Sequence, residues 1–509
     1  MAFGCDEADT RDEPSASGCL RGGDGARRRR GPRRPATLLS RVASGLCAAA
    51  ASWALPAAAQ TAPQVPRTLQ EALANAYTTN PTLLQERAHL RSIDENVPTA
   101  LAGWRPQVTF TGSFGYADGS YAAPTGVTTG GVLTTRNNRV EASAQASLVQ
   151  PVYTGGRTVA GTHQAVNNVL AERANLLSTE ETVFANVINA YVTVIQDYNL
   201  LQLNINNEQV LKRQLQATND RFRVGEITRT DVAQAESALS GASATRETSE
   251  GTLQSARAAY VRYIGSLPAD NLTEPQPIKL PTKTEQETFN LAVSNNPSVL
   301  QALFNEAASR DAVDVAFSAL LPQVSVQASA FQQNNQAITN TTNIGAQITL
   351  NGSVPIYQGG SEYAAVRQAR QTAQASRRAV DDAKRQALQQ ATQAYETYVA
   401  ARSTIESTRA QIKANRIALN GVEREAIVGS RTTLDVLNAQ QLLLSSQTTL
   451  VQNLSSVVTA SYGVASAIGR LTARDLGLNV PLYDDTAYYN AVRDRVWGTG
   501  DYATSQPAR

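Results

Sequence analysis

The chain has 509 residues, and its 45 Lys and Arg nearly balance its 43 Asp and Glu, which leaves a formal net charge of +2. This balance gives no basis for a nucleic-acid partner, because such a partner requires clustered positive charge. The two histidines lie far apart, and no P-loop, G-x-S-x-G or H-E-x-x-H motif occurs. We therefore expect no enzyme activity, no metal site and no cofactor.

Residues 1–59 are predicted to be a secretory signal peptide, with arginines at 27–30, an Ala-rich apolar stretch and an A-x-A site ending at Ala59. The paired arginines also allow twin-arginine export, but no full motif surrounds them. Cleavage would leave 36 Lys and Arg and 37 Asp and Glu, and would remove Cys5, Cys19 and Cys47. The sequence before Cys47 lacks the apolar residue typical of a lipid attachment site.

The first half of the mature chain, 68–267, begins with a predicted helix from Thr68 to about Leu101, which is broken at Asn80-Pro81. Strands follow at 106–150, around a Gly- and Thr-rich loop at 118–138. Their apolar residues alternate with polar ones, the period-two pattern of a strand with one apolar face. The apolar positions of the first strand are Val108, Phe110, Phe114 and Tyr116.

A very long helix is predicted at 158–222, because neither Pro nor Gly occurs between Gly161 and Gly225. About 64 helical residues would extend about 95 Å, a length that no compact soluble core needs. A tip at 223–229 and a returning helix at 230–264 complete a helical hairpin. Four prolines then mark a linker at 268–284.

The second half, 285–471, repeats this order. It has a helix, strands at 322–354, a long helix at 361–426, a tip at 427–432 and a returning helix at 433–468. Residues 472–509 are predicted to form a C-terminal segment with a short amphipathic helix and a disordered tail. The two tips match at an offset of 204 residues, with Val, Gly, Thr, Asp and Val in the same places. Several matched blocks in the same order predict an internal duplication.

The strands are the only segments suited to crossing a membrane, because the mature sequence has no run of 18 apolar residues. Strands cross lipid only as a closed barrel, since unpaired backbone cannot face hydrocarbon. Four strands are too few to close a pore. The sequence therefore predicts that several chains share one barrel.

The chain resembles the TolC-type outer-membrane efflux proteins of Gram-negative bacteria over residues 68–498. The resemblance rests on three features: the second tip from Val428 to Leu437, the two Pro-(Val/Ile)-Tyr-x-Gly-Gly junctions, and the duplication. It implies a mixed α and β membrane protein. In a homotrimer, each chain would give four strands to a twelve-stranded transmembrane β-barrel in outer-membrane lipid, and its helices to a long periplasmic α-helical barrel.

The resemblance also implies roles for single residues. Asp435 resembles an aspartate that rings the closed periplasmic entrance, and Asn438 stands at the second ring position. Arg431 and Asp231 resemble partners in the contacts that hold the tips shut. The sequence departs from the best-known pattern at Asn438 and at Ala426, where an aromatic residue is expected, so the ring is predicted to carry one carboxylate per chain.

The tips are further implied to contact a periplasmic adaptor that is fed by an inner-membrane pump of the ABC or RND class. The residues concerned are Val224, Gly225, Thr228, Val428, Gly429 and Thr432. A purely structural alternative stays open, because glycines supply left-handed turns at helix ends and acidic residues suit helix N-termini in any protein.

The leading functional prediction is a passive exit channel of the outer membrane, for type I protein secretion, for multidrug efflux, or for both. The absent lipid attachment site and the C-terminal tail favour the secretion branch. The alternative is a periplasmic coiled-coil adaptor or scaffold that never enters the outer membrane. Such a protein needs one helical hairpin, whereas this chain has two.

Overall fold

The computed structural model describes residues 65–125, 131–280, 284–336 and 339–502. Contacts divide the chain into Met1–Pro63 and Gln64–Arg509, and every described residue belongs to the second unit. The predicted signal peptide with its cysteines and the last part of the predicted tail, 503–509, lie outside the described residues.

The first half runs from short helices through a β-hairpin to a long helical hairpin. Its elements are α1 (Leu69–Thr79), α2 (Pro81–Asp94), α3 (Asn96–Leu101), β1 (Gln107–Thr125), β2 (Gly131–Tyr153), α4 (Arg157–Arg223) and α5 (Arg229–Ile264). The predicted first helix is thus three helices. Asn80 caps α2 through its side chain, which accepts from the Thr82 N–H at 3.0 Å, and a second interruption at Glu95 was not predicted.

The second half follows the same order. Its elements are α6 (Glu285–Asn295), α7 (Pro297–Phe317), β3 (Gln323–Asn334), β4 (Thr342–Ser353), α8 (Ser361–Ile427), α9 (Thr433–Ala467) and, in the C-terminal segment, α10 (Ala487–Val492). Both long helices have 67 residues, which corresponds to a length of about 100 Å each. None of the helices within the described residues combines the length and the apolarity that a bilayer crossing requires.

The predicted loop at 118–138 is mostly strand. Backbone pairing continues through Thr125 and Gly131, and Asp118 opposes Asn138. An ion pair of 2.9 Å between Arg136 Nη2 and Asp118 Oδ2 joins the two strands in this region. The Gly and Thr content suggested a loop, but threonine is also a strand-forming residue, and strand pairing prevails here.

The four strands form one antiparallel sheet in the order β1-β2-β3-β4. Residues paired across an antiparallel ladder share a face of the sheet. The register therefore places Phe110, Ala146, Ala330 and Ala346 on one face and Thr109, Ser147, Ser329 and Gln347 on the other. One face is apolar across all four strands, with Phe110 76% and Ile348 78% exposed. The opposite face is mostly polar, and its aromatic residue Phe331 packs over Gly345.

The helical hairpins α4–α5 and α8–α9 pack differently. The main core forms where α1, α2, α4 and α5 meet the segment after α9, around Phe184, Tyr191 and Tyr260. The Tyr191 hydroxyl lies 2.8 Å from the Arg67 carbonyl oxygen and 2.9 Å from that of Thr273. In the second half the core is smaller and is built around Ala292, Ala391, Ala467 and Ile468. Much of α8 is therefore exposed in the single chain.

The segment that follows α9 returns along the first half. Two buried neighbours on α4 hold its start, since Glu180 accepts from the Ala473 N–H at 2.6 Å and Glu181 from the Leu471 N–H at 3.3 Å. Burial raises the pKa of both carboxyl groups, and that of Glu181 reaches about 8. Further along, the Tyr488 hydroxyl donates to Glu95 at 2.9 Å.

Candidate gate at the helical tips

Each helical hairpin ends in a short turn whose geometry follows from one glycine. Gly225 and Gly429 have φ values of 77° and 81°, the left-handed conformation that residues with a Cβ avoid. In both tips the residue after the glycine donates its N–H to a carbonyl of the long helix. Glu226 donates to the Arg221 carbonyl and Ser430 to the Glu425 carbonyl, each at 3.0 Å. This is a Schellman motif, which ends both long helices in the same way.

Both returning helices start with a capping box. Asp231 accepts from the Thr228 hydroxyl at 2.7 Å and from the Thr228 N–H at 3.0 Å. Asp435 accepts from the Thr432 N–H at 3.0 Å and from the Thr432 hydroxyl at 2.9 Å. These hydrogen bonds lower the pKa of each aspartate. Both predicted gate carboxylates are therefore ionised at neutral pH and fixed in position by their own helix start.

An ion pair closes each tip, and its polarity is reversed between the two halves. In the first tip, Arg221 on the long helix pairs with Glu226 on the turn at 3.0 Å. In the second, Glu425 on the long helix pairs with Arg431 on the turn at 2.9 Å. Arg221 and Glu425 occupy equivalent positions, 204 residues apart. Glu425 raises the pKa of Arg431, which stays charged.

The predicted Arg431–Asp231 pair is not among the ion pairs within the described part of the chain, where Arg431 binds Glu425 instead. The two tips nevertheless meet at Asp231. Besides Thr228, the Thr433 side chain at the start of α9 contributes to lowering the pKa of Asp231. Thr433 is buried, and α5 packs against α9.

The surface of the tips is apolar in places. Val224 and Val428, which end the two long helices, are each 77% exposed. Thr228, Thr432 and Asn438 are also exposed, and Asn438 follows Asp435 by one helical turn. Ala426 is buried, so the second tip has a small buried side chain where the resemblance leads one to expect an aromatic one. Each tip therefore presents an exposed valine beside polar side chains.

Sequence reasoning missed Arg221, Glu226, Glu425 and Thr433 as parts of these tips. An acidic and a basic residue five or six positions apart across a helix-ending glycine would have indicated both ion pairs. Within the described residues, no group of three His, Cys, Asp or Glu side chains is arranged to hold a metal ion.

Comparisons with known proteins agree over most of the chain. The family model described as outer membrane efflux protein matches residues 68–266 and 288–470. The outer membrane efflux protein BepC of Brucella suis is 35% identical over 436 residues, 85% of this chain and 91% of that protein. The outer membrane protein TolC of Escherichia coli is 24% identical over 429 residues, 80% of this chain and 83% of that protein.

A solved structure has the same fold. The crystal structure of the outer membrane protein VceC from Vibrio cholerae superposes with a TM-score of 0.67 at 18% identity, covering 79% of this chain and 96% of that one. The resemblance predicted from the sequence is confirmed, and the relatives support a channel rather than a periplasmic adaptor. The chain belongs to the outer membrane efflux protein family, the export channels of the Gram-negative outer membrane that extend into the periplasm.

Proposed function

We propose that three copies of the chain assemble into one export duct, with a twelve-stranded barrel in the outer membrane and a helical barrel in the periplasm. The observation that carries this proposal is the four-stranded sheet with one apolar face and two edges, β1 and β4, that pair with no other strand of the described chain. Edges cannot stay open in lipid. Three such sheets joined edge to edge make a closed barrel.

The strand lengths support this arrangement. β3 and β4 have 12 residues each, which corresponds to about 40 Å of strand, and a tilt of about 45° reduces this to about 28 Å of membrane thickness. That value matches the hydrocarbon core of a bilayer, about 30 Å. The apolar face then contacts lipid, and the polar face lines the duct.

The exposed faces of the helices support the proposed helical barrel in the periplasm. The long helix α8 leaves apolar side chains exposed along its length, among them Leu388, Val399 and Ile417. In the trimer these are covered by helices of a neighbouring copy. The internal duplication gives each chain two similar helical hairpins, so three chains supply six tips around the entrance.

At that entrance, the threefold axis brings three Asp435 side chains together. Their charge repels anions and attracts cations in a narrow passage. Asn438 adds a ring of amides rather than a second ring of carboxylates. The Arg431–Glu425 pair holds the second tip in its closed shape, and the contact of Arg431 with Asp231 belongs to the interface between chains.

The exposed valines and threonines of the tips receive a periplasmic adaptor, and an inner-membrane pump of the ABC or RND class supplies the energy. Binding of the adaptor moves the tips outward and opens the entrance. The cargo is a secreted protein, small molecules, or both, because a duct lined by polar strands does not select one of them.

Heat-modifiable trimers and ion conductance test this proposal. We expect protein purified from the outer-membrane fraction to migrate as a trimer in an unheated denaturing gel and as a monomer after boiling. The trimer should conduct ions in a planar bilayer. A stable monomer in the soluble periplasmic fraction, with no conductance, would refute the duct and favour the scaffold alternative.

A further inference from the structure

We propose that the C-terminal loop from Arg495 to Gly500 is a membrane anchor, whose Val496 and Trp497 side chains enter the interfacial layer of the periplasmic leaflet. The proposal goes beyond the export duct and rests on the membrane position of the sheet proposed above. The partner is the phospholipid surface itself, not a protein.

The loop is fixed at the point where the first strand begins. The Arg105 guanidinium donates from Nη1 to the Arg495 carbonyl oxygen at 2.7 Å, across 390 residues of sequence. Arg105 stands two residues before β1, which starts at Gln107. The C-terminal segment therefore reaches the periplasmic end of the proposed membrane-spanning sheet.

The loop has a defined backbone. The Arg495 side chain donates from Nε to the Trp497 carbonyl at 3.3 Å and from Nη1 to the Gly500 carbonyl at 2.5 Å. Gly498 has a φ of 103°, which allows the sharp turn between them. Upstream, Val492 is buried and ends α10. The main chain is thus held by hydrogen bonds while the side chains at its tip point away from the protein.

Those side chains are apolar and almost wholly exposed. Trp497 is 89% and Val496 is 74% exposed in the single chain. Leaving an indole and a valine in water is unfavourable, by about 25 cal/mol for each Å² of apolar surface that stays uncovered. A backbone organised to display them indicates that something covers them.

Other aromatic and apolar residues lie at the same end of the sheet. The start of β1, the end of β2, the start of β3 and the end of β4 share this end because all neighbouring strands are antiparallel. The exposed residues next to these strand ends are Trp104, Val152, Tyr153, Val354, Ile356 and Tyr357. Trp and Tyr concentrate at membrane–water interfaces, where the ring is in an apolar layer and the polar atom meets water or headgroups.

Continuity with the lipid-facing surface identifies the partner. The apolar face of β1 begins at Val108, three residues after the Arg105 that holds the loop, and Val108 is itself 71% exposed. Next to the loop, Arg493 and Asp494 are both exposed, so the flanking side chains are polar and balanced in charge. The loop thus extends the band of lipid contacts by one layer, to the headgroup region.

The tryptophan content of the chain provides a direct test. The sequence has three tryptophans, Trp53, Trp104 and Trp497, and the first lies in the predicted signal peptide. Trp104→Phe therefore leaves Trp497 as the reporter in the processed chain, and mass spectrometry establishes whether Trp53 is still present. If it is, Trp53→Phe is added.

The variant trimer is reconstituted into vesicles of phosphatidylethanolamine and phosphatidylglycerol, with or without brominated acyl chains, and with iodide on both sides of the membrane in parallel samples. We expect brominated lipid to quench the Trp497 emission and iodide to quench it little. Quenching by iodide alone would show a residue in water, and protection from both quenchers would show a residue covered by a neighbouring copy. Either outcome overturns the proposal.

Two control variants calibrate the measurement and separate this proposal from the preceding one. In a background with Trp104→Phe and Trp497→Phe, Phe110→Trp reports the lipid face of the sheet and Phe222→Trp reports the periplasmic tip. Brominated lipid should quench the former and iodide the latter. If brominated lipid fails to quench Phe110→Trp, the membrane position of the sheet itself is wrong. If only Trp497 fails, the anchor alone is wrong.

Should Trp104→Phe not yield trimers, the same quantities come from the difference between the parent and Trp497→Phe. The contribution of Trp497 is then the emission of the parent minus the emission of Trp497→Phe. A difference that brominated lipid leaves unchanged would again count against the anchor.

Discussion

At the scale of single residues, the side chains of the proposed gate are already engaged within their own chain. Asp435 accepts two hydrogen bonds from Thr432, and Arg431 binds Glu425 at 2.9 Å. A contact between subunits must therefore compete with, or add to, these local partners. The local pair gives the second tip a defined shape before any neighbour arrives.

We expect Arg431→Ser to raise the ion conductance of the trimer above that of the parent in planar bilayers. The change removes the cation that binds Glu425 and any contact of Arg431 with a neighbouring tip. Glu425→Gln separates these effects, because it removes the local pair and leaves Arg431 free to bind elsewhere.

Arg424→Ser is the matched control, since it removes the same charge from an exposed position on the long helix α8, next to this tip, and Arg424 takes no part in the Arg431–Glu425 pair. Equal conductance in Arg431→Ser and the parent would eliminate the latch role of Arg431. An equal rise in the control would assign the effect to net charge alone.

Glu181 makes stability depend on pH. Its carboxyl group ionises near its ordinary pKa of 4.5 in the unfolded chain and at about 8 in the folded one. Between these values the folded state keeps a proton that the unfolded state has released. The free energy of unfolding therefore falls as pH rises through this window, by about 1.4 kcal/mol per pH unit at most.

Thermal unfolding followed by circular dichroism between pH 5 and pH 8 measures this dependence. Glu181→Gln should reduce the slope, because the amide still accepts from the Leu471 N–H but does not ionise, and the raised pKa of Glu180 leaves a smaller dependence. Glu247→Gln, an exposed carboxyl on α5, should retain the parental slope. Parallel slopes for all three proteins would show that Glu181 does not control the pH response.

At the scale of elements, the helical tips could be predicted from the sequence, whereas the ends of strands β1 and β2 next to their connecting turn could not. Runs of some 60 residues without Pro or Gly, followed by a glycine, define the ends of a helix. The bounds of α4 and α8 differ from the predicted ones by at most one residue. The ends of β1 and β2 had no such signal, because Thr, Asn and Gly occur in both loops and strands.

The ion pairs of the tips follow a local pattern that the sequence prediction overlooked, whereas the contacts between distant segments were not predictable from the sequence alone. Glu425 and Arg431 come together only because Gly429 turns the chain back by one helical turn. The loop at Arg495 depends on a contact with Arg105, which lies 390 residues away. No local pattern encodes a contact between segments so far apart.

The glycines of the second hairpin should respond in opposite directions to the same substitution. Gly429→Ala places a Cβ at a φ of 81° with no neighbouring atom in the way, and we expect a loss of about 1 kcal/mol of local stability. Gly421→Ala lies within α8, also in open space, and should stabilise that helix by about 0.5 to 1 kcal/mol.

Hydrogen exchange of the amides around residues 421–430 measures both effects. Faster exchange in Gly429→Ala and slower exchange in Gly421→Ala is the expected pair of results. If Gly429→Ala exchanged as slowly as the parent, the left-handed turn would not be a requirement of the tip.

At the scale of the whole molecule, the faces of the sheet should differ in their tolerance of charge. Ile348→Lys places an ammonium on the face proposed to contact lipid and should cost about 2 to 4 kcal/mol near the middle of the bilayer. Gln347→Lys, the adjacent residue on the polar face, should be tolerated because its side chain meets the water of the duct.

The yield of trimers in the outer-membrane fraction distinguishes the two variants. We expect few trimers for Ile348→Lys and a parental yield for Gln347→Lys. The reverse order would mean that the apolar face lines the duct, and equal yields would mean that neither face contacts lipid.

The two unpaired margins of the sheet have a consequence for how cells make this protein. A newly exported chain carries backbone donors and acceptors along β1 and β4 that any other extended polypeptide can bind, which is the usual start of fibre-like aggregation. In the proposed trimer, these edges close only against further copies of the chain, which must arrive before unrelated polypeptides bind them. The yield of assembled protein should therefore rise with the concentration of newly exported chains relative to that of other extended polypeptides.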